Sequence, residues 1–154
     1  ALIDTAAEDG LIGALITTAR QKAELYLSRD IVAKSRKYLV EYSENGEIDL
    51  PFGPIDVISA VTYSEDNAAA ALDTDYKVRG LVDKRVDMLS YPAHWVTVSY
   101  TTTGIDSQDI KDAIKAIFES LYNSRGIISL EEMQKFQLTD HCKSLLIGHK
   151  KMFV

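Results

Sequence analysis

The fold is decided by residues 106–126, which read DSQDIKDAIKAIFESLYNSRG. Apolar residues recur in this stretch at intervals of three and four positions, and that spacing places them on one face of an α-helix. They are Ile110, Ala113, Ile114, Ile117, Phe118, Leu121 and Tyr122. Asp109 and Asp112 lie near the start, where the helix dipole favours acids, and Gly126 can end the helix. The stretch therefore predicts a helix with one buried face.

A second one-sided helix is predicted near the N-terminal end of the chain. Its apolar residues are Leu11, Ile12, Leu15, Ile16, Ala19, Ala23, Tyr26 and Leu27. The charged residues predicted to lie off that face are Arg20, Lys22, Glu24 and Arg29. Because a helix must bury its apolar face against another element, we expect the second long helix to pack on the first.

Between the two helices the periodicity becomes that of β-strands. Residues 37–42 alternate, and the Asn45-Gly46 pair is typical of a tight hairpin whose return strand carries Ile48, Leu50 and Phe52. Pro51 marks that return as an edge strand or a bend. Further strands are predicted at 55–63, 76–79, 84–89 and 95–100, and Ile55, Val57, Val61 and Tyr63 are expected on one side of the first of these. Close turns favour antiparallel pairing, which predicts an α+β fold.

The C-terminal part of the chain predicts a helical extension. Residues 129–132 form a capping box, so a third helix is expected from about Leu130, with a break at Thr139-Asp140. A tail follows Gly148. We therefore divide the chain into an α+β domain at 1–126 and a C-terminal helical extension and tail at 127–154, which either joins the same domain or acts as an assembly arm.

Composition and charge exclude several functional classes. The net charge is −6, and residues 141–154 carry three lysines and no acid, so the remainder has a net charge of −9. An acidic body argues against a general nucleic-acid binder. The longest apolar runs are too short to cross a bilayer, and the start lacks a signal peptide's basic region. We expect a soluble protein that is not exported.

Motifs of catalysis, cofactor binding and metal binding are missing. The sequence has no glycine-rich phosphate loop, nucleophile elbow or zinc-spaced His-Glu pair. His141, Cys142 and His149 form too weak a set for zinc. Acid pairs at Glu65-Asp66 and at Asp73 and Asp75 are read as solvated turn residues, and His94 with Trp95 as core packing. We predict no catalytic, cofactor or metal site and no enzymatic activity.

A series of short strings in order, covering about residues 9–126, carries a family resemblance. They are LIxxLIxxARxxxExY at 11–26, IDLP with PIxxIxxVxY at 48–63, DY at 75–76, and VTVxY, Gly104, IKxAI and LYxxR between 96 and 125. No single string is specific, but their order and spacing are. The chain resembles the gp6-like head–tail connector (adaptor) proteins of tailed bacteriophages.

The resemblance implies a structural role in a virion. Such proteins form a homo-oligomeric ring, usually dodecameric, beneath the portal protein, and they also meet a tail-side neck or head-closure protein. DNA passes through the channel without specific binding, so we expect the channel surface to be neutral to acidic and free of a belt of Lys34, Arg36, Lys37 and Lys84. The implied location is the neck between capsid and tail, with the host cytoplasm during assembly.

The C-terminal extension departs from the family pattern, because many relatives end soon after the helix that closes at Arg125. Its basic charge and its apolar residues predict a partner interface made of Leu145, Leu146, Lys150, Lys151, Met152 and Phe153. The alternative is that Cys142, Leu145 and Leu146 pack on the helix at 110–122 of the same chain.

Three other functions remain open. A head-closure or tail-completion protein would occupy the same neck and bind only its tail-side neighbour. A small carboxylate-dependent enzyme would need a concave pocket with several buried acids. A DNA-binding regulator is disfavoured by the acidic charge and by the lack of a basic recognition helix.

Overall fold

A computed structural model of the chain describes residues 5–41, 46–89, 95–124 and 137–151. Its helices are α1 (Thr5–Leu27), α2 (Gln108–Ser124) and α3 (Asp140–Leu146), followed by a 3₁₀ turn (Ile147–His149). Its strands are β1 (Ser35–Glu41), β2 (Glu47–Asp49), β3 (Ile55–Tyr63), β4 (Tyr76–Arg79), β5 (Arg85–Met88) and β6 (Trp95–Thr102). The predicted α+β class is confirmed. The chain divides into a helical unit, Ala1–Ser28 with Asp106–Val154, and a sheet unit, Arg29–Ile105.

The helical unit is built on the packing of α2 against α1, as predicted. The buried residues of α2 are Ile110, Ala113, Ile117 and Leu121, and those of α1 include Leu15, Ala19, Ala23 and Leu27. Two expectations for α1 are wrong: Glu24 is buried, whereas Ile16 is 47% exposed. Both α2 and α3 contact α1. The residues of α1 that these two helices bury are therefore not the same set as the single apolar stripe that the spacing predicts.

The sheet unit contains two three-stranded antiparallel sheets, in the orders β1-β6-β3 and β2-β5-β4. Alternate residues of β6 are buried, as expected for a strand with one face on a core. One apolar cluster joins the two sheets: Ile48, Leu50, Ile55, Val61, Tyr63, Tyr76, Val86, Met88, Val96, Val98 and Tyr100. Several tyrosines thus serve as core residues.

The predicted hairpin between residues 37–42 and 48–52 is wrong. β1 pairs along its whole length with β6, and β2 pairs with β5 in the other sheet. An Asn-Gly pair favours a reversal of the chain but does not select which strands become neighbours. The eight-residue β6 offers β1 a longer ladder than the three-residue β2 does. The expectation that β2 lies at a sheet edge is met.

Three further expectations are corrected or fall outside the described residues. Val57 is 52% exposed, because the β3–β6 register shifts between Ile55 and Ile58 and again before Ala60. A register shift turns side chains to the opposite face of the sheet. The helix predicted from Leu130 and the predicted domain boundary after residue 126 lie outside the described residues.

Candidate functional site

The C-terminal segment, defined here as residues 139–151, begins with a capped helix. Thr139 has an extended backbone, and its side-chain oxygen accepts a hydrogen bond from the Cys142 backbone N–H at 3.4 Å. The predicted break at Thr139-Asp140 is therefore the start of α3. Cys142 and Leu146 are buried, and α3 packs mainly on α2. This part of the predicted interface folds onto its own chain.

The end of the C-terminal segment is also attached to the helical unit. His149 Nε2 lies 3.2 Å from Ser107 Oγ, and the Lys150 ammonium lies 4.5 Å from the centre of the Tyr26 ring. The Lys151 N–H donates a 2.9 Å hydrogen bond to the Leu27 carbonyl oxygen. These contacts hold the chain in place as far as Lys151.

The six predicted interface residues therefore have different surroundings. Leu146 is fully buried and has no exposed surface to offer a partner. Leu145, Lys150 and Lys151 are half-buried. Met152 and Phe153 lie outside the described residues. The interface prediction now rests on the five residues other than Leu146.

The sheet unit holds a buried ionic network that sequence reasoning missed. The Asp30 carboxylate is fully buried and accepts two hydrogen bonds from the Arg36 guanidinium, at 2.6 and 2.7 Å. The Lys34 ammonium lies 3.5 Å from it, and Thr102 Oγ1 donates to it at 2.9 Å. Burial tends to raise the pKa of Asp30, but the hydrogen bonds and the charges of both bases outweigh burial and lower it.

Residues around the network fix the chain near the cis Gly53-Pro54 peptide. The Tyr100 hydroxyl donates a 2.7 Å hydrogen bond to the Pro51 carbonyl oxygen, and burial raises the pKa of Tyr100 to about 12. The Arg36 guanidinium carbon lies 4.0 Å from the centre of the Phe52 ring. Since the carboxylate of Asp30 is compensated by two cations, the network acts as a structural clamp and not as an acid–base pair.

A groove of about 300 Å³ lies beside this clamp. Its lining is Ser35, Arg36, Lys37, Ser59, Ser99, Tyr100 and Thr101. Hydroxyl groups and two cations form this lining, with no carboxylate among them. The groove therefore lacks the several buried acids that a carboxylate-dependent enzyme would require.

The acidic pairs singled out from the sequence support local turns. Asp66 Oδ1 accepts a hydrogen bond from the Ala68 N–H at 2.9 Å, and Asp75 Oδ2 accepts one from the Ala71 N–H at 2.7 Å. Within the four described ranges, no group of three or more His, Cys, Asp or Glu residues could hold a metal ion. None of the described helices has both the length and the apolar character of a membrane span. The core packing predicted for Trp95 is wrong, because this residue is 44% exposed at the start of β6. His94 lies outside the described residues.

The comparisons with known proteins bear on the fold. No protein-family model matches the sequence, and a search of curated proteins found no match. Solved structures do match. A chain in the neck of a native gene transfer agent (GTA) particle, computed with C12 symmetry, has a TM-score of 0.73 at 12% identity, with 94% of this chain and 84% of that chain covered.

Two related structures match equally well. A chain in the neck of an empty GTA particle, computed with C6 symmetry, has a TM-score of 0.72 at 12% identity, with 95% of this chain and 80% of that chain covered. A chain in the virion of a native GTA particle has a TM-score of 0.74 at 14% identity, with 100% of this chain and 84% of that chain covered. At these identities the likeness establishes a shared fold over nearly the whole chain.

Proposed function

We propose that this protein is a non-enzymatic structural subunit of a head-to-tail neck in a tailed bacteriophage or phage-like particle. The observation that carries the proposal is the shared fold, over 94% of the chain, with a chain from a GTA particle neck. The connector strings at 11–26, 48–63 and 96–125 support it independently, because they come from the sequence and not from the coordinates. More specifically, we propose that the protein is a gp6-like head–tail connector.

The subunit would act as one member of a homo-oligomeric ring beneath the portal protein. The C12 and C6 symmetries of the matched necks favour this arrangement. Copies related by rotation about one axis meet through two different surfaces, and such contacts close into a ring. The ring would lie in the virion neck after assembly in the host cytoplasm, with a tail-side or head-closure protein below it.

The charge distribution is compatible with passage of DNA through such a ring. A continuous belt of the four bases at positions 34, 36, 37 and 84 would bind DNA tightly. Lys34 and Arg36 already contact Asp30, and the Lys84 ammonium donates a hydrogen bond to the Asp56 carbonyl oxygen. Releasing fewer counterions from DNA weakens binding and lets the duplex slide. We expect a neutral to acidic channel surface.

The proposal is tested by producing the full chain together with the portal protein of the same particle. We expect a closed cyclic species stacked on the portal, measured by electron microscopy and by native mass spectrometry. A strictly twofold dimer, or a chain that stays monomeric beside the portal, would contradict the proposal. A ring that binds only the tail-side neighbour would instead identify a head-closure or tail-completion protein.

A short truncation tests the assembly arm. Deleting residues 152–154 leaves the contacts of His149, Lys150 and Lys151 in place, whereas a longer deletion from Gly148 would remove them. We expect the free energy of unfolding to change by less than about 0.5 kcal/mol, as for surface changes in general. Attachment to the portal or to a neighbouring copy should be lost, because Met152 and Phe153 would supply apolar contacts there.

Pull-down on the portal measures attachment, and urea denaturation measures folding. The matched control is the full-length Ile147→Ala variant, which loses an exposed apolar side chain outside the predicted interface but keeps residues 152–154. A truncated chain that attaches as well as the full chain would rule out the arm.

A further inference from the structure

The tip of the β4–β5 hairpin, residues 80–83, presents apolar side chains to solvent. Leu81 is 91% exposed and Val82 is 55% exposed. Leu81 has the largest exposure among the large apolar residues that the structure describes outside its gaps. Burying such side chains against a partner would be favourable, since stabilisation grows with the apolar area removed from water.

The hairpin tip is held in place in spite of its exposure. The Ile55 N–H donates a 2.9 Å hydrogen bond to the Val82 carbonyl oxygen, and Arg29 contacts the Asp83 carboxylate at 3.1 Å. Gly80 has a φ of +92°, and a Cβ at that position would lie 2.5 Å from the Asp83 carbonyl oxygen. A tip ordered before binding loses less conformational entropy when it docks.

The hairpin differs in charge from the acidic body of the chain. Residues 76–89 contain four bases, Lys77, Arg79, Lys84 and Arg85, and two acids, Asp83 and Asp87. A basic hairpin with an apolar tip should fit a surface that is acidic at its rim and apolar at its centre.

A second surface of the sheet unit has these properties. The acidic loop, residues 64–75, contains four acids and no base, together with the sequence Ala68-Ala69-Ala70-Ala71-Leu72. Leu72 is 56% exposed, and Glu65 and Asp73 are exposed as well. The loop is ordered by the Asp66 and Asp75 hydrogen bonds to its own backbone and by the bond from the Ala70 N–H to the Val61 carbonyl oxygen.

The hairpin tip and the acidic loop lie at opposite ends of the same unit. The tip is bound to Ile55 at the start of β3, and the loop is bound to Tyr63 at its end. At about 3.3 Å per residue, the nine-residue β3 separates the tip from the Glu65 end of the loop by roughly 25 Å. Leu72 is bridged to Tyr76, and the strand and turn from Tyr76 to Leu81 span roughly 15 Å. They are therefore too far apart to meet within one copy, but they can meet between copies.

We propose that the hairpin tip of one copy docks on the acidic loop of the next copy in the ring. This inference rests on the ring assembly proposed above, and it assigns the two complementary surfaces that a rotational assembly requires. Leu81 and Val82 would pack on the alanine-rich stretch and Leu72. Lys77, which is exposed, would lie opposite Glu65 and Asp73.

The first test is the Leu81→Asp variant of the full chain. Leu81 is exposed, so the subunit should fold as before, but the ring contact would lose its apolar centre and gain like-charge repulsion. We expect association between copies to weaken by about tenfold or more, measured by native mass spectrometry over a concentration series and by imaging with the portal. The double variant Leu81→Asp with Leu72→Lys should recover part of the loss.

Chemical cross-linking supplies a second measurement that does not depend on a loss of assembly. With Leu81→Cys and Leu72→Cys in one chain, a short bis-maleimide should give a ladder of covalently joined copies. The pair Leu39→Cys and Leu72→Cys is the control and should give none, because Leu39 is 56% exposed on β1 of the same unit but lies outside the proposed contact. Native Cys142 is buried and should react little.

The outcomes separate this inference from the proposed function. Normal rings from Leu81→Asp, together with an absent ladder, would overturn the hairpin contact and leave the ring intact. If the unmodified chain forms no cyclic species with or without the portal, both proposals fail.

Discussion

Replacing Asp30 with asparagine should lower the free energy of unfolding by about 3 kcal/mol, the low end of the cost of breaking a buried ion pair. The asparagine has nearly the same shape as the aspartate, so the change removes charge and leaves packing intact. Arg36 and Lys34 would then face each other's charge without the carboxylate between them. Their side chains are 27% and 31% exposed, so water would partly compensate, and we take the lower value for that reason.

Urea denaturation followed by circular dichroism measures this effect. The matched control is Glu47→Gln in the same unit, because Glu47 also faces an arginine, at 3.6 Å, but its side chain is 52% exposed. A surface pair of this kind contributes about 0–1 kcal/mol. Equal losses in the two variants would show that the Asp30 network does not clamp the sheet unit.

The Asp30 effect should also depend on pH in a defined direction. A carboxyl whose pKa is lower in the folded state than in the unfolded state stabilises the fold above the unfolded pKa, about 3.9 for aspartate. That stabilisation is lost as the pH falls through the lowered folded-state pKa. The difference between the native chain and Asp30→Asn should therefore be full at pH 5–7 and shrink below about pH 4, where the protonated carboxyl resembles the amide. A constant difference down to pH 2 would contradict this assignment.

Helices were predictable from the sequence because their periodicity is local. The spacing of residues 110–122 specified the buried face of α2 before any partner was known, and Ile110, Ala113, Ile117 and Leu121 are buried there. Glu24, which is buried, and Ile16, which is exposed, are the exceptions on α1. Their burial depends on which helices surround α1, and that is information about the whole fold.

Strand pairing was less predictable because it depends on residues far apart in the chain. The alternation of residues 37–42 correctly predicted a strand, and Tyr38 and Val40 of that strand pack against the core. Nothing in residues 35–41, however, identifies β6, some sixty positions later, as the partner. The Asn45-Gly46 pair favoured the nearest strand. Competition between possible ladders is decided by length and by the core as a whole, so a local turn signal gave the wrong neighbour.

The candidate sites were also hard to predict from the sequence, because they depend on residues far apart in the chain. Asp30 belongs to no motif, and only the fold brings Thr102 to it across 72 positions. The hairpin tip offered one usable signal, namely Leu81-Val82 between Gly80 and Asp83. Turns are dominated by Gly, Pro, Asn, Asp and Ser, so an apolar pair at a turn indicates a candidate contact surface. The predicted interface at 145–153, in contrast, was placed by composition, which cannot distinguish residues that pack on their own chain from residues that await a partner.

Replacing Leu146 with alanine separates those two possibilities. Leu146 is fully buried in the helical unit, and a buried leucine truncated to alanine costs about 2–5 kcal/mol, depending on how far the cavity collapses. If α3 packs on α2 in the isolated subunit, we expect a loss in that range. If residues 139–151 instead form a detached arm that packs only after assembly, the isolated subunit should lose almost nothing.

The neighbouring Ile147→Ala variant is the matched control. Ile147 is 62% exposed, so its truncation should change the free energy of unfolding by less than about 0.5 kcal/mol. Urea denaturation of both variants, with and without the portal, then separates the two roles. A large loss for Leu146→Ala in the isolated chain would confine any assembly arm to residues beyond Lys151, because residues up to that point would be needed to fold the subunit. Equal and small losses for both variants would mean that α3 leaves the helical unit in solution, and the arm would then begin near Thr139.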